Sequence, residues 1–373
     1  MILISPLFRL ALKIASIILF VITIAAAYGG KCDPEYIAFP SVLVLALPYL
    51  AIATLIAGIL WLQNGRLIMG ITAILTLIAC WGSLKDVTPI AFSKSADDGN
   101  RTFRVMTYNC LHLADTTKSD APGNRAIKFL IESDADIICL QELVNFEDAE
   151  EIHHWSRRLI DSLYNAYPYR AGTTDDDLKV LSKFPVSMHA IKSDDPEKEE
   201  YWRNRRRWRL FEVNIDGFKL NLLNFHMTSY YLTDNEREVV TDIRGVRSAK
   251  KSYNEFRQEI FPKLSEAFRA RSYNVAEMAE TIIDINPIIA CGDFNDVAGS
   301  WAYRIMRNSG FKDAYSETSL GPTNTFNQFL LLFHIDQIFY RGDRLRALKT
   351  KRHGINTSDH YPIEATFEIL PRQ

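Results

Sequence analysis

None of the five cysteines sits in a Cys-x-x-Cys motif or any other paired spacing, which removes a zinc site and a disulfide framework from consideration. Cys32 and Cys80 fall in an apolar N-terminal part, while Cys110, Cys139 and Cys291 lie within or beside strand-like runs and read as buried free thiols. An excess of one charge is also missing. With 43 basic and 45 acidic residues the net charge is −2, so the chain has no global signature of a nucleic-acid-binding protein. No internal repeat is present, which argues against a repeat array.

Charge itself is scarce up to about Leu84, and three apolar stretches fill that region at about 7–28, 37–61 and 67–84. Each approaches the roughly 20 residues that cross a bilayer as a helix, and Pro40 and Pro48 are tolerated there better than in soluble helices. These stretches predict a membrane-embedded, multi-pass N-terminal region over residues 1–84. The first has a second reading, because Arg9 and Lys13, an apolar core and Ala25-Ala26-Ala27 before Tyr28 also fit a cleavable signal peptide. In either reading Arg9 and Lys13 favour a cytoplasmic N-terminus, and counting crossings then places the rest of the chain outside the cytoplasm.

Residues 85–100 contain the small, polar run Ser93 to Asn100 and read as a linker. From Arg101 onward strand-like and helical stretches alternate. Phe218 to Phe225 and Trp208 to Val213 predict a hairpin around Asp216-Gly217. The stretch of about 229–286 reads as a helical insertion, and Ser300 to Ser309 as a helix closed by Gly310. Many strands with interspersed helices on one unit of residues 101–373 fit a two-layered sheet core with helices outside.

Six polar signatures then appear in order, most of them closing an apolar run: Thr107-Tyr108-Asn109, Gln141-Glu142, Asn224-Phe225-His226, Gly292-Asp293-Phe294-Asn295, Ile335-Asp336 and Ser358-Asp359-His360. A strand that ends in a carboxylate, amide or imidazole delivers that group to the rim of a sheet. Several such groups, without a thiolate pair, point to an oxygen-ligated divalent metal and a charged substrate. Taken singly, each also has an ordinary structural reading, such as a turn-forming Asp after Gly.

The ordered set resembles the endonuclease/exonuclease/phosphatase superfamily, the DNase I-like metallophosphoesterases, over roughly Arg101 to Ile369. The pieces Gly292-Asp293-Phe294-Asn295 and Ser358-Asp359-His360-Tyr361-Pro362 carry most of the resemblance. It implies an α/β (α+β) chain with a DNase I-like four-layered α/β sandwich of two packed β-sheets. It also implies Mg²⁺ or Mn²⁺ held by Glu142 and Asp359, with Asn109 supporting the metal site through its amide. Asp293 is expected to orient or deprotonate water, Asn295 to hold a phosphoryl oxygen, and His360 to act as acid/base with Asp336 orienting its ring. His226 corresponds to the position that binds phosphate or assists the leaving oxygen. The family's Arg before Ile-Asp is replaced here by His334, which predicts a changed contact near the phosphate or in packing.

The basic run Tyr201 to Arg209 interleaves Trp with Arg. It fits a substrate-binding strip, with Arg205 and Arg207 on phosphates, and equally a surface that docks on anionic lipid or a charged edge strand. The expected reaction is phosphodiester hydrolysis with nucleic acid as first substrate. A phosphatase or a lipid phosphodiesterase acting on headgroups is the alternative, and an inactive phosphate-binding membrane protein a third. No protein partner is indicated.

Overall fold

The computed structural model describes residues 6–113, 124–143, 157–173, 177–189, 207–233, 236, 253–328 and 333–372. Arg205, most of the basic run, and Arg244, Arg247, Lys250 and Lys251 of the insertion lie outside the described residues. The chain forms two compact units. The first gathers Met1–Pro89, Leu232–Ser272 and Val297–Arg304, and the second Ile90–Tyr231, Tyr273–Asp296 and Ile305–Gln373.

In the first unit, α1 (Pro6–Gly29) and α2 (Phe39–Gln63) are each long and apolar enough to cross a membrane. Their outer faces carry exposed Leu7, Phe8, Ile17, Ile18, Ile52, Leu55 and Ile59, an arrangement suited to a lipid solvent. Between the helices, Thr23 and Thr54 share a hydroxyl hydrogen bond of 2.9 Å. The third expected span is broken: α3 (Leu67–Ala79) and α4 (Trp81–Val87) meet at a bend of 65°. At the break the Ser83 N–H turns to Cys80 O at 3.0 Å, and the freed Ala79 carbonyl accepts the Tyr28 hydroxyl at 2.9 Å. A side chain inserted into the helical ladder is a sufficient cause of a kink. Elsewhere in this unit Arg304 Nη2 donates to Ser83 Oγ at 3.1 Å, and Arg269 Nε to Pro34 O at 3.2 Å.

The second unit is built on two mixed sheets. One runs β11 (Leu345–Arg352), β12 (Ile363–Ile369), β1 (Thr102–Asn109), β2 (Ile137–Gln141), β4 (Lys179–Ser182), β3 (Tyr169–Ala171). The other runs β5 (Val186–Met188), β6 (Trp208–Ile215), β7 (Phe218–His226), β8 (Ile288–Asp293), β10 (Asp336–Arg341), β9 (Lys312–Asp313). Strand β1 is parallel to β2 and antiparallel to β12, while β7 is parallel to β8 and β10 antiparallel to it. The central strands β2 and β8 are buried along their whole length and apolar up to the Gln141 and Gly292-Asp293 that close them, as suits strands covered on both faces.

Phe103, Val105, Ile137 and Val180 of the first sheet meet Phe211, Val213, Leu220, Leu222 and Ile289 of the second in one core cluster. On the outer face of the first sheet, α5 (Arg125–Ser133) and α6 (Arg157–Ala166) close a second core through Ile127, Leu130, Ile160 and Leu163. Asn124 caps α5 by accepting the Ile127 N–H at 3.0 Å. On the outer side of the second sheet, the part of helix α7 (Phe261–Thr281) from Tyr273 onward buries Val275 and Met278, and its Glu277 accepts the Trp208 indole N–H at 2.9 Å. The packed sheets and flanking helices are the DNase I-like arrangement expected from the sequence.

The polar stretch ahead of β1 is fixed rather than loose. Glu368 accepts the Asp97 N–H and the Asn100 amide, Ala91 N–H donates to Ser319 O, and Lys94 N–H to Leu348 O. The Asp216-Gly217 hairpin forms as expected, with positive φ at both residues (49° and 92°), which is the two-residue turn matched to strand twist.

Candidate active site

Strand ends bring the signatures together. In register, Asn109 lies beside Gln141 in the first sheet, while His226, Asp293 and Asp336 lie side by side in the second. The two sets are held together by a buried polar bridge between the sheets. Asn224 Nδ2 on β7 donates to the carbonyls of Leu140 and Lys179, each at 3.0 Å, and its Oδ1 accepts Gln141 Nε2 at 2.7 Å. Thr107 Oγ1 completes the bridge by hydrogen bonding to Gln141. Such a fully satisfied network fixes register in a way apolar packing does not.

Gly292 is needed for the close approach of β7 and β8. A Cβ there would fall 1.9 Å from Phe225 O, and φ is +155°. We therefore expect Gly292→Ala to destabilise the folded chain by about 3 kcal/mol or more, through strain that backbone cannot relieve cheaply. A melting temperature within about two degrees of wild type would contradict this.

Asp293 sits at the centre and is 1 % exposed. Its Oδ1 accepts the Asn295 N–H at 2.9 Å, and its Oδ2 accepts Asn109 Nδ2 at 3.1 Å and Asn295 Nδ2 at 3.0 Å. Asn109 Nδ2 also donates to Glu142 Oε1 at 2.9 Å, and its Oδ1 accepts the Leu111 N–H. The amide of Asn109 thus presents its nitrogen to the two carboxylates and orients them. Asn295 Nδ2 spends its second proton on Met227 O at 3.0 Å, so in this structure that amide positions Asp293 instead of offering a free donor to a phosphoryl oxygen. Glu142 and Asn295 both hold positive φ (56° and 51°), a strain on the order of 1 kcal/mol each and a common mark of functional positions.

Two imidazoles flank Asp293, each backed by a carboxylate. His360 Nδ1 lies 2.9 Å from Asp336 Oδ2, and His226 Nδ1 lies 2.7 Å from Asp177 Oδ2. Both Nε2 atoms are then directed to the same place, 3.7 Å from Asp293 Oδ2, with His226 Nε2 also 3.8 Å from Glu142 Oε1. Burial alone lowers the His360 pKa, but the charges of Asp336, Asp293 and Asp359 lift it to about 10. Burial opposes the His226 charge as well, and Asp177, Asp293 and Glu142 carry its pKa above the ordinary value. Burial pushes the Asp293 carboxyl up, against the pull of the two imidazoles. For Asp177, burial is outweighed by its bond to His226 and by the charges of His226 and Arg207, and its carboxyl is held below the usual range.

Thr325 Oγ1 accepts the N–H groups of Ile335 and Asp336 at 2.9 and 3.0 Å, and Ser358 Oγ donates to Asn109 O at 2.8 Å, which ties the three chain ends at the site. Asp359 is half-buried, and its charge is among those that raise the His360 pKa. Exposed Arg207 lies at the His226 end, where its carbonyl accepts the His226 N–H. His334 packs edge-on against the Tyr315 ring at 4.5 Å, and burial lowers its pKa to about 4, so it contributes packing without charge. Asp177 was not singled out in the sequence. It ends a Thr-Thr-Asp-Asp-Asp run that closes no apolar stretch, so no local signal distinguishes it.

The donor set suits a hard cation. Asp293, Asp336 and His360 place potential ligand atoms within 4.8 Å of one another, and the Glu142 carboxylate adjoins them through Asn109. Asp336 Oδ1 is buried and has no hydrogen-bond partner among the described residues, an expensive state that a cation or a bound donor relieves. The oxygen-rich set, with no thiolate among these groups, suits a hard divalent cation.

Among solved structures, the chain is similar to an endonuclease/exonuclease/phosphatase from Bacteroides vulgatus (16 % identity, TM-score 0.44, covering 72 % of this chain and 99 % of that one). It is also similar to TDP2 truncated from Caenorhabditis elegans (19 % identity, TM-score 0.39, 72 % and 98 %). An uncharacterised Escherichia coli (strain K12) protein, YbhP, is 22 % identical over 251 residues, or 63 % of this chain and 84 % of the relative. The model of the endonuclease/exonuclease/phosphatase family matches residues 106–360, well over half of the chain and all the signatures above. The chain belongs to the endonuclease/exonuclease/phosphatase family, a family of phosphoester hydrolases.

Proposed function

We propose that this protein is a membrane-anchored, divalent-metal-dependent phosphodiesterase. The observation that supports it most directly is the pair of carboxylate-backed imidazoles whose Nε2 atoms both lie 3.7 Å from Asp293 Oδ2. Such a site supplies a base and two cationic donors around one point, the requirement of in-line attack by water on phosphorus. Water forms the new O–P bond and passes its proton to Asp293. As the bond from phosphorus to the leaving oxygen breaks, an imidazolium N–H of His360 or His226 protonates that oxygen, and the other imidazolium stabilises the charge on the non-bridging oxygens. Asn109 and Asn295 hold the carboxylates in place, and Arg207 adds positive charge at the rim. Glu142, with the neighbouring carboxylates, would hold Mg²⁺ or Mn²⁺, which neutralises phosphate charge when bound.

The apolar helices favour anchoring in a membrane, and they keep a lipid phosphodiester beside nucleic acid as a substrate. The deciding assay uses the full chain in detergent with bis-p-nitrophenyl phosphate and p-nitrophenyl phosphate, with Mg²⁺ or Mn²⁺ and an EDTA control. Turnover of the diester that EDTA abolishes is the expected result. Turnover of the monoester alone would transfer the reading to a phosphatase. We further expect Glu142→Gln to weaken metal affinity by about ten- to a hundredfold, measured by calorimetric titration of Mn²⁺. Unchanged affinity would remove Glu142 from the metal site.

A further inference from the structure

Directly after Asn109 the chain makes a left-handed turn through Leu111, His112 and Leu113, whose φ angles are 46°, 56° and 53°. Consecutive non-glycine residues rarely hold this conformation, because Cβ crowds the following carbonyl. The turn is laced to the strand end that carries Glu142. The His112 N–H donates to Glu142 O at 2.9 Å, the Cys110 N–H to Gln141 O at 3.1 Å, and Leu111 N–H to Asn109 Oδ1 at 3.3 Å. Leu113 is fully buried and Leu111 half-buried, so they anchor the turn, whereas His112 is exposed. The imidazole makes no hydrogen bond or ion pair with the described residues. A strained backbone therefore holds an uncommitted imidazole one hydrogen bond from the Glu142 main chain, although glycine or asparagine would sit there with less strain.

We propose that His112 is a substrate-binding residue, whose imidazole donates a hydrogen bond to a non-bridging oxygen of the phosphoester. This rests on the phosphodiesterase reading and adds to it a donor on the Glu142 side, opposite in role to the catalytic imidazoles because it moves no proton. His112 is exposed and its imidazole has no partner among the described residues, and the fixed turn limits the entropy lost on binding.

The test separates strain from function. In the full chain, His112→Gly relaxes the turn and removes the imidazole, whereas His112→Asn tolerates the same φ and keeps an N–H donor. His112→Gly is expected to raise the melting temperature, raise KM for bis-p-nitrophenyl phosphate about tenfold, and leave kcat within about twofold. His112→Asn should recover part of the KM. A His112→Gly protein with a raised or unchanged melting temperature and wild-type KM would overturn the proposal. Calorimetric titration with inorganic phosphate gives a second readout that needs no turnover. An affinity weakened about tenfold in His112→Gly supports His112 even if the diester proves a poor substrate, and equal affinities in the two proteins count against it.

Discussion

Asp293→Asn should fold and lose about a thousandfold in diester turnover. The carboxylate is the group placed to take the proton of water, and general-base catalysis by a positioned side chain contributes typically about 10²–10⁴-fold. Its surroundings explain why an amide cannot replace it. Every hydrogen bond that Asp293 makes in the site is accepted: one from the Asn295 main chain and two from the side-chain amides of Asn109 and Asn295. Whichever way an asparagine amide is turned, its NH₂ faces a donor, at a cost of about 1–3 kcal/mol. Against that stands a gain, because burial pushes the Asp293 carboxyl up and a neutral side chain needs no such desolvation. The two terms oppose each other, so the change in melting temperature should be small beside the change in rate. The check is turnover of bis-p-nitrophenyl phosphate by a variant whose melting temperature lies within a few degrees of wild type. Retention of more than about a tenth of wild-type turnover would remove Asp293 from the role of base.

Four of the signatures were legible because the polar group closes a largely apolar run that reads as a buried strand, at Asn109, Gln141, His226 and Asp293. Ile288-Ile289-Ala290-Cys291 before Gly292-Asp293 is the clearest, and β8 is buried along its whole length. What local pattern could not reveal was set by tertiary pairing. The link between His226 and Asp177 joins residues 49 apart in sequence through the meeting of two sheets, and the four-residue strand β4 after Asp177 is too short to announce itself. Strand β11 escaped notice because Leu345-Arg-Ala-Leu-Lys-Thr-Lys-Arg reads as a basic stretch, and a register shift between Ala347 and Lys349 breaks its alternation. At the kink between α3 and α4 the Ala79 carbonyl accepts the hydroxyl of Tyr28, a residue far away in sequence. Asn295 shows a further limit: a motif names the residue, but only the coordinates show that both protons of its amide are already committed.

Asp336→Asn is expected to separate the charge of the His360 dyad from its geometry. The asparagine oxygen can still accept from Nδ1 at the place of Asp336 Oδ2, so the ring keeps its orientation and loses its counter-charge. In the wild-type site burial works against the imidazolium, and the charges of Asp336, Asp293 and Asp359 lift its pKa to about 10. A folded-state value above the unfolded value of about 6.5 means that this group's contribution to stability is complete below pH 6.5. It is then lost as the pH rises through about 10. Thermal unfolding in EDTA should therefore show wild-type stability falling from pH 7 to 10, and Asp336→Asn should show a flatter profile over that window because less proton uptake accompanies folding. The same argument fixes the sign for catalysis. If His360 delivers a proton to the leaving oxygen, activity needs the imidazolium, and the alkaline limb of kcat must track its pKa. Removing the Asp336 charge lowers that pKa and moves the limb to lower pH, while the rate on the plateau falls by about a hundredfold or more. A variant that loses rate with the alkaline limb in place would assign the proton to His226, the other imidazole directed at Asp293, and leave His360 with the charge-stabilising part.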